Sequence, residues 1–203
     1  MEFNLKVNNI WFSSDFHYGH KNITGEKVSE WKSGFRIFDS TDQMNDTIVN
    51  NINNCVKEKD LLFCLGDWSF GGYENIKKFR DRVVCKSIFL TYGNHDKNIR
   101  NHPEHRSLFI YCSDSMNIKI ENYEFYLHHF SHQVWERHHK GRIHLFGHSH
   151  GALEGLGKSM DVGIDMAYKI FGEYRPFSFK EIIDIMNKKE IHYIDHHDNK
   201  TRE

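Results

Sequence analysis

Five short apolar runs in this chain each end on a polar residue of metal-binding type. "NIWFSS" (9–14) leads to Asp15 and His17. "LLFCLG" leads to Asp67, and "SIFLTYG" leads to Asn94, His95 and Asp96. "YEFYL" leads to His128 and His129, and "IHLFG" leads to His148 and His150 within "GHSH". Short apolar runs bounded in this way read as buried strands. In open α/β sheets, sites assemble at the carboxyl ends of the strands. Five strands with these endings would carry all the polar residues to one edge. The chain has 16 histidines in 203 residues, so a single His pair carries little weight. Five clusters in register with five strands carry much more.

The segments between the runs read as helices and turns. Ser40 and Asp42 offer an N-cap, and Met44, Ile48, Ile52 and Val56 predict an amphipathic helix over 42–57. Ile76, Phe79 and Val83 predict a second over 74–83. Residues 116–129 alternate around Glu121-Asn122 and predict a β-hairpin. Ser178 and Glu181 form a capping-box pair, followed by Phe179, Ile182, Ile183 and Met186 at helical spacing. "EIHYI" (190–194) predicts a last strand, and the polar tail after it a frayed end. Segments 19–40, 97–115 and 151–175 read as loops. Alternating strands and helices make this an α/β chain, and its length suits one domain over 1–203.

Composition narrows the function. Apolar residues at 38% and aromatics at 14% suffice for a core. A net charge of −1 does not favour non-specific nucleic-acid binding through a basic surface. The start does not read as a signal peptide, and no apolar stretch is long enough to span a membrane, so no membrane partner is expected. Cys55, Cys64, Cys85 and Cys112 form no CxxC pair, and three lie in apolar patterns. Free thiols in a reducing, cytoplasmic compartment are expected.

Imidazole, carboxylate and amide donors without thiolate suit manganese, iron, zinc or nickel. There are more candidate donors than one ion needs, so two ions sharing a carboxylate are expected. Such pairs stabilise the attacking and leaving oxygens of a phosphoryl displacement. Two divalent ions contribute about +4, two aspartates −2 and a bridging hydroxide −1, a net of about +1 that attracts phosphate.

"DFHYGH" (15–20), "GDWSFG" (66–71), "GNHD" (93–96), "LHHF" (127–130) and "GHSH" (147–150) resemble the ordered motifs of the calcineurin-like metallophosphoesterases. "WFSSDFHYGHKNI" and "YRPFSFKEI" (174–182) further resemble the opening and close of a small bacterial and phage branch. The resemblance covers most of residues 10–185. It implies a four-layer α/β/β/α sandwich of two mixed β-sheets flanked by helices. It also implies two divalent metal ions, manganese foremost, and a phosphodiester or phosphomonoester substrate attacked by a metal-bridging hydroxide. By the family pattern Asp15, His17 and His150 hold one metal, and Asp67 bridges. Asn94, His148 and one histidine of 128/129 hold the other. His129 is the expected ligand, with His128 on the opposite face of the strand. His95 acts as general acid or as a donor to the phosphoryl group, and Asp96 orients it. Asn94, His95 and His20 are candidate substrate contacts, with a structural hydrogen bond the alternative for His20.

In an extended H-x-H, His148 and His150 would point the same way, one toward each metal. Trp68 reads as packing. Asp161 and Asp165 read either as supports behind the metal residues or as turn residues. His132, His138, His139 and His144 read as loop or solvated positions, and His192, His196 and His197 as surface. The expected substrate is a small molecule or nucleotide. A phosphoprotein phosphatase or a nuclease is the alternative, and a non-catalytic scaffold is disfavoured because every ligand position is filled. The sequence does not set the oligomeric state.

Overall fold

The computed structural model describes residues 2–3, 9–25, 27–28 and 36–194. His196 and His197 lie outside these, as does the tail. One sheet contains β2 (Ile10–Ser13), β3 (Leu61–Cys64), β4 (Ser87–Thr91) and β5 (Tyr111–Ser113), all parallel, with β10 (Phe177–Ser178) antiparallel on the β2 edge. The second sheet runs β1 (Glu2–Phe3), β6 (Ser115–Ile120), β7 (Tyr123–His128), β8 (Ile143–Phe146) and β9 (Ser159–Asp161). β6 and β7 form the expected hairpin, and β7, β8 and β9 are parallel. Both sheets are mixed, and helices flank them.

Strand alternation builds the layers. Leu61 and Phe63 face the second sheet, and Leu62 and Cys64 face the helices on the other side. Burial on both faces explains why "LLFC" reads as a continuous apolar run. Between the sheets, Phe12 stacks on Phe63 at 5.3 Å and on Phe125 at 5.6 Å, so one ring ties them together. On the outer face of the first sheet lie α1 (Thr41–Cys55) and α2 (Tyr73–Arg82), burying Met44, Ile48, Ile52, Ile76 and Phe79. Ser40 caps α1 by accepting from the Gln43 amide at 3.0 Å. α6 (Phe179–Met186) starts on the capping box of Ser178 and Glu181 and packs Phe179, Ile182 and Met186 into the inter-sheet core.

Four features depart from the sequence reading. Residues 190–194 form no strand, because Tyr193 and Ile194 stay exposed and the alternating pattern has no sheet face to bury. The stretch read as loop over 97–115 holds α3 (Lys97–Asn101), α4 (Pro103–Arg106) and β5. The stretch over 151–175 holds β9 and α5 (Ile164–Phe171), whose apolar residues Ile164, Met166 and Ala167 are buried. His144 is not a loop residue. It is fully buried on β8, on the outer face of the second sheet, with the Trp135 ring 5.2 Å away; His138 is buried nearby. Among the described residues no helix is long and apolar enough to cross a membrane.

Removing the Phe12 ring leaves a cavity between two rigid sheets. Phe12→Ala should lower the unfolding free energy by about 3–5 kcal/mol, read from urea denaturation followed by circular dichroism. A loss under about 1 kcal/mol would show that the sheets do not depend on this contact.

Candidate metal centre

The polar residues after β2, β3, β4, β7 and β8 do meet at one edge. Main-chain bonds hold the strand exits together: the Asp15 amide donates to the Gly66 carbonyl at 2.9 Å, and the His17 amide to the Asp67 carbonyl at 3.0 Å. Seven described non-glycine residues have positive φ, and five of them are Asp15, His17, Asp67, His148 and His150. Left-handed backbone is unfavourable for such side chains and persists only where the surroundings enforce it. It turns each side chain back over the strand ends. The exits are also tightly nested. A Cβ on Gly147 would lie 2.5 Å from Asp15 Oδ2, and one on Gly93 would lie 2.1 Å from Asp67 Oδ1. Only glycine fits at either position.

Three groups of donors result: Asp15, His17 and His150; His17, Asp67 and His95; and Asp67, His129 and His148, each within 4.8 Å. Asp67 stands between the outer two. Its Oδ2 lies 3.4 Å from His17 Nε2 and 3.6 Å from His129 Nε2. Asn94 Oδ1 joins the third group, 3.1 Å from His129 Nε2 and 3.0 Å from His148 Nδ1. His95 is exposed at the edge, its ring 5.2 Å from that of His17, and its amide donates to Asp67 Oδ1 at 2.9 Å. The two histidines of "LHHF" part company. His129 is buried in the cluster, whereas His128 Nδ1 accepts from the Phe130 amide and its ring lies against His132. His20 is buried, stacked on Phe70 at 3.9 Å, with Nδ1 3.2 Å from His17 Nδ1. Trp68 is fully buried and edge-on to Phe16.

Two sequence expectations need correction. His148 and His150 do not sit in an extended segment. Both have left-handed φ, of 66° and 48°, and this turn aims them at different donor groups. Asp96 does not orient the His95 ring. Its Oδ2 accepts from the Asp67 amide at 2.7 Å and the Gly93 amide at 2.8 Å, and its Oδ1 from the Trp68 amide at 3.1 Å. It holds the turn that presents Asp67. Asp161 plays the same part in the "GHSH" turn. One oxygen accepts from the Ser149 hydroxyl and the Gly151 amide, and the other from the Gly163 amide. Asp165 accepts from His150 Nδ1 at 2.7 Å.

Sequence reasoning missed Arg36. It is 1% exposed, and donates to the carbonyls of Asp15 and Phe16 and to both oxygens of Asp165. Nothing in "GFRIF" marks an arginine destined for burial.

The donor set fits divalent cations. His129 donates Nδ1–H to the Leu65 carbonyl at 2.8 Å, which leaves a lone pair on Nε2. That lone pair faces the oxygens of Asn94 and Asp67, with no proton to share among them. His17 Nε2 is buried, finds no hydrogen-bond partner among the described residues, and points at Asp67 and Asp15. Lone pairs turned on one another repel, and a cation among them removes the conflict.

The charges agree. Burial pushes the Asp15 carboxyl up to about 8, with the Asp161 and Asp67 carboxylates adding to it against His150. Burial, with Asp67, pushes Asp96 up to about 7. Burial holds His17 well below its usual range and lowers His129, so both rings are neutral. Folded Asp15 and Asp96 hold protons more tightly than their ordinary 3.8, so the stability they contribute is lost as pH rises from that value toward about 8 and about 7. Lowered histidines act oppositely, and their stability is lost as pH falls below 6.5. Above that value only the first effect remains. The Tm of chelator-treated protein should therefore fall between about pH 7 and about pH 8.5, and excess Mn2+ should abolish the fall. A Tm that rises over this window without metal would contradict the assignment.

No known family pattern matches the chain. An uncharacterised protein of Methanocaldococcus jannaschii is 25% identical over 196 residues, 92% of this chain and 96% of that one. A protein from Mycobacterium phage L5, the product of its gene 66, is 24% identical over 178 residues, 72% of this chain and 80% of its own. Among solved structures, a protein of unknown function from Aquifex aeolicus superposes with a TM-score of 0.63 at 20% identity, over 87% of this chain and 98% of that one. Two mixed sheets packed face to face, with five motifs gathered at their strand ends, are the arrangement that the motifs' resemblance to the calcineurin-like metallophosphoesterases implies, and the chain shares its fold with the Aquifex aeolicus protein.

Proposed function

We propose that this protein is a metal-dependent phosphoric ester hydrolase with a dinuclear centre. One observation carries the reading: a buried carboxylate, Asp67, lies between two sets of nitrogen and oxygen donors. Asp15, His17 and His150 would hold one ion, Asn94, His129 and His148 the other, and Asp67 would serve both. Manganese is the first candidate, with iron, zinc or nickel as alternatives for this donor set. Bound there, the ions would supply a nucleophile from water near neutral pH and take up charge on the phosphoryl oxygens.

The protein's own groups supply the rest. His95 stands exposed beside the centre, fixed through its amide to Asp67. From there its ring would donate to a phosphoryl oxygen or to the leaving oxygen. Asp96 keeps the Asp67 turn from relaxing, because all three amides it accepts belong to the two turns that meet there. His20 and Phe70 form a stacked aromatic wall on the His95 side, where a substrate's organic group would rest. The favoured substrate is a small phosphodiester or phosphomonoester of nucleotide type. The buried thiols of Cys64 and Cys85 suit a cytoplasmic setting.

The test is hydrolysis of bis-p-nitrophenyl phosphate and p-nitrophenyl phosphate by chelator-stripped protein with Mn2+, Ni2+, Zn2+ or Mg2+ restored. Metal-dependent release is expected, and faster release from the diester would support a phosphodiesterase. His95→Ala should lower kcat about 10²–10⁴-fold while retaining bound metal. Asp67→Asn should lose both metal and activity. Near-wild-type turnover by either variant, or no release with any metal, would overturn the assignment.

A further inference from the structure

We infer that Arg36 and Asp165 form a positioning pair that assembles one half of the metal centre, the half made by Asp15, His17 and His150. This rests on the dinuclear reading above and deepens it. A buried guanidinium is costly unless its donors are matched. Each donor of Arg36 that bonds at this edge reaches this half. Nε and Nη2 grip the two oxygens of Asp165, both at 2.9 Å, in a fork that only a planar guanidinium makes. Nη2 also donates to the Asp15 carbonyl at 2.5 Å, and Nη1 to the Phe16 carbonyl at 2.9 Å. Those carbonyls belong to the turn whose left-handed residues are Asp15 and His17. The cation therefore binds the strained turn from behind, on the main chain, and leaves both side chains free to face the centre.

Asp165 completes the chain of contacts. It sits in the first turn of α5, where a carboxylate is favoured. Its Oδ2 accepts Nδ1–H from His150 at 2.7 Å, which orients the ring so that Nε2 would be the nitrogen offered to a metal. Arg36 is itself anchored, its amide donating to the Ile23 carbonyl at 3.3 Å. One arginine thus holds the Asp15 carbonyl, the carbonyl of the peptide that precedes His17 and, through Asp165, the His150 ring. The other half has different supports: Leu65 for His129, and Asp96 for the Asp67 turn. The two halves should be separable by mutation.

The probe is Mn2+ alone, measured on purified full-length protein by calorimetry, by metal content after dialysis, and by electron paramagnetic resonance. Wild type should bind two ions per chain and show a spin-coupled spectrum. Asp165→Asn and Arg36→Met should weaken one ion about 10–100-fold, retain the other at wild-type affinity, and show the six-line spectrum of isolated Mn2+. Arg36→Lys should resemble Arg36→Met, because an ammonium cannot make the fork. His129→Ala, in the other half, should spare the ion that Asp165→Asn loses. Should Arg36→Met fail to fold, Asp165→Asn carries the test, because it preserves shape while removing the charge and one of the two acceptor oxygens. Two ions bound to Asp165→Asn within about threefold of wild-type affinity would overturn the inference, as would equal weakening of both ions in a folded variant. A wild type that binds one ion would overturn the dinuclear reading instead. The pair would then be upheld if Asp165→Asn weakens that ion and rejected if it does not.

Discussion

The structure depends on five backbone residues held in a conformation they disfavour. Asp15, His17, Asp67, His148 and His150 leave their strands with left-handed φ, at about 1–3 kcal/mol apiece. Together that is comparable to the whole stability of an ordinary domain. The strain lasts because each exit is fixed from behind by a buried charged side chain. Arg36 takes the carbonyls after β2, Asp96 the amides after β3 and β4, and Asp161 the amides after β8. Each makes three or more hydrogen bonds, the condition under which a buried charge is tolerated.

These charges bear on one another. Asp15, Asp67, Asp96 and Asp161 are all buried, and only Arg36 among the groups discussed is a buried permanent cation. It is already matched to Asp165. Burial pushes Asp15 and Asp96 up, and the neighbouring carboxylates add to it. A region with this much uncompensated acid at the ends of rigid strands is poised to take up positive charge. The same rigidity confines that charge to the strand ends, because the inter-sheet core behind them is packed with rings such as Phe12, Phe63 and Phe125.

Much of this was legible in the sequence. Apolar runs located β2, β3, β4, β7 and β8 within a residue or two, because strands buried on both faces admit few other residue types. The polar residue after each run marked the site edge. What was not legible falls into two kinds. The sign of φ is written in the sequence only where glycine occupies the position, and here aspartate and histidine carry it. The extended reading of "GHSH" failed for that reason. The second kind is partnership across long separations. Arg36 lies 129 positions from Asp165, and Asp96 lies 29 from the Asp67 amide it holds. No local spacing encodes such pairs. α5 was lost among loops because its eight residues span barely two turns, too short for an apolar stripe to stand out.

Histidine count alone was a poor guide, and ring-nitrogen bookkeeping is a better one. His144 is as deeply buried as His129 and lies inside an apolar run. Yet the scaffold uses both its nitrogens: Nδ1 lies 3.1 Å from the Tyr126 carbonyl, and Nε2 accepts from the His132 amide at 3.1 Å. No lone pair is left to offer. Burial pushes this ring down to about 3, and it serves as a neutral strut under Trp135. His129 and His150 differ from His144 in one respect. Each gives Nδ1–H to a scaffold oxygen and turns Nε2 toward carboxylates. A histidine with one nitrogen committed to the scaffold can offer the other to a metal, and one with both committed cannot. By that criterion His129 and His150 separate from His144 on hydrogen bonds, where sequence position could not divide them.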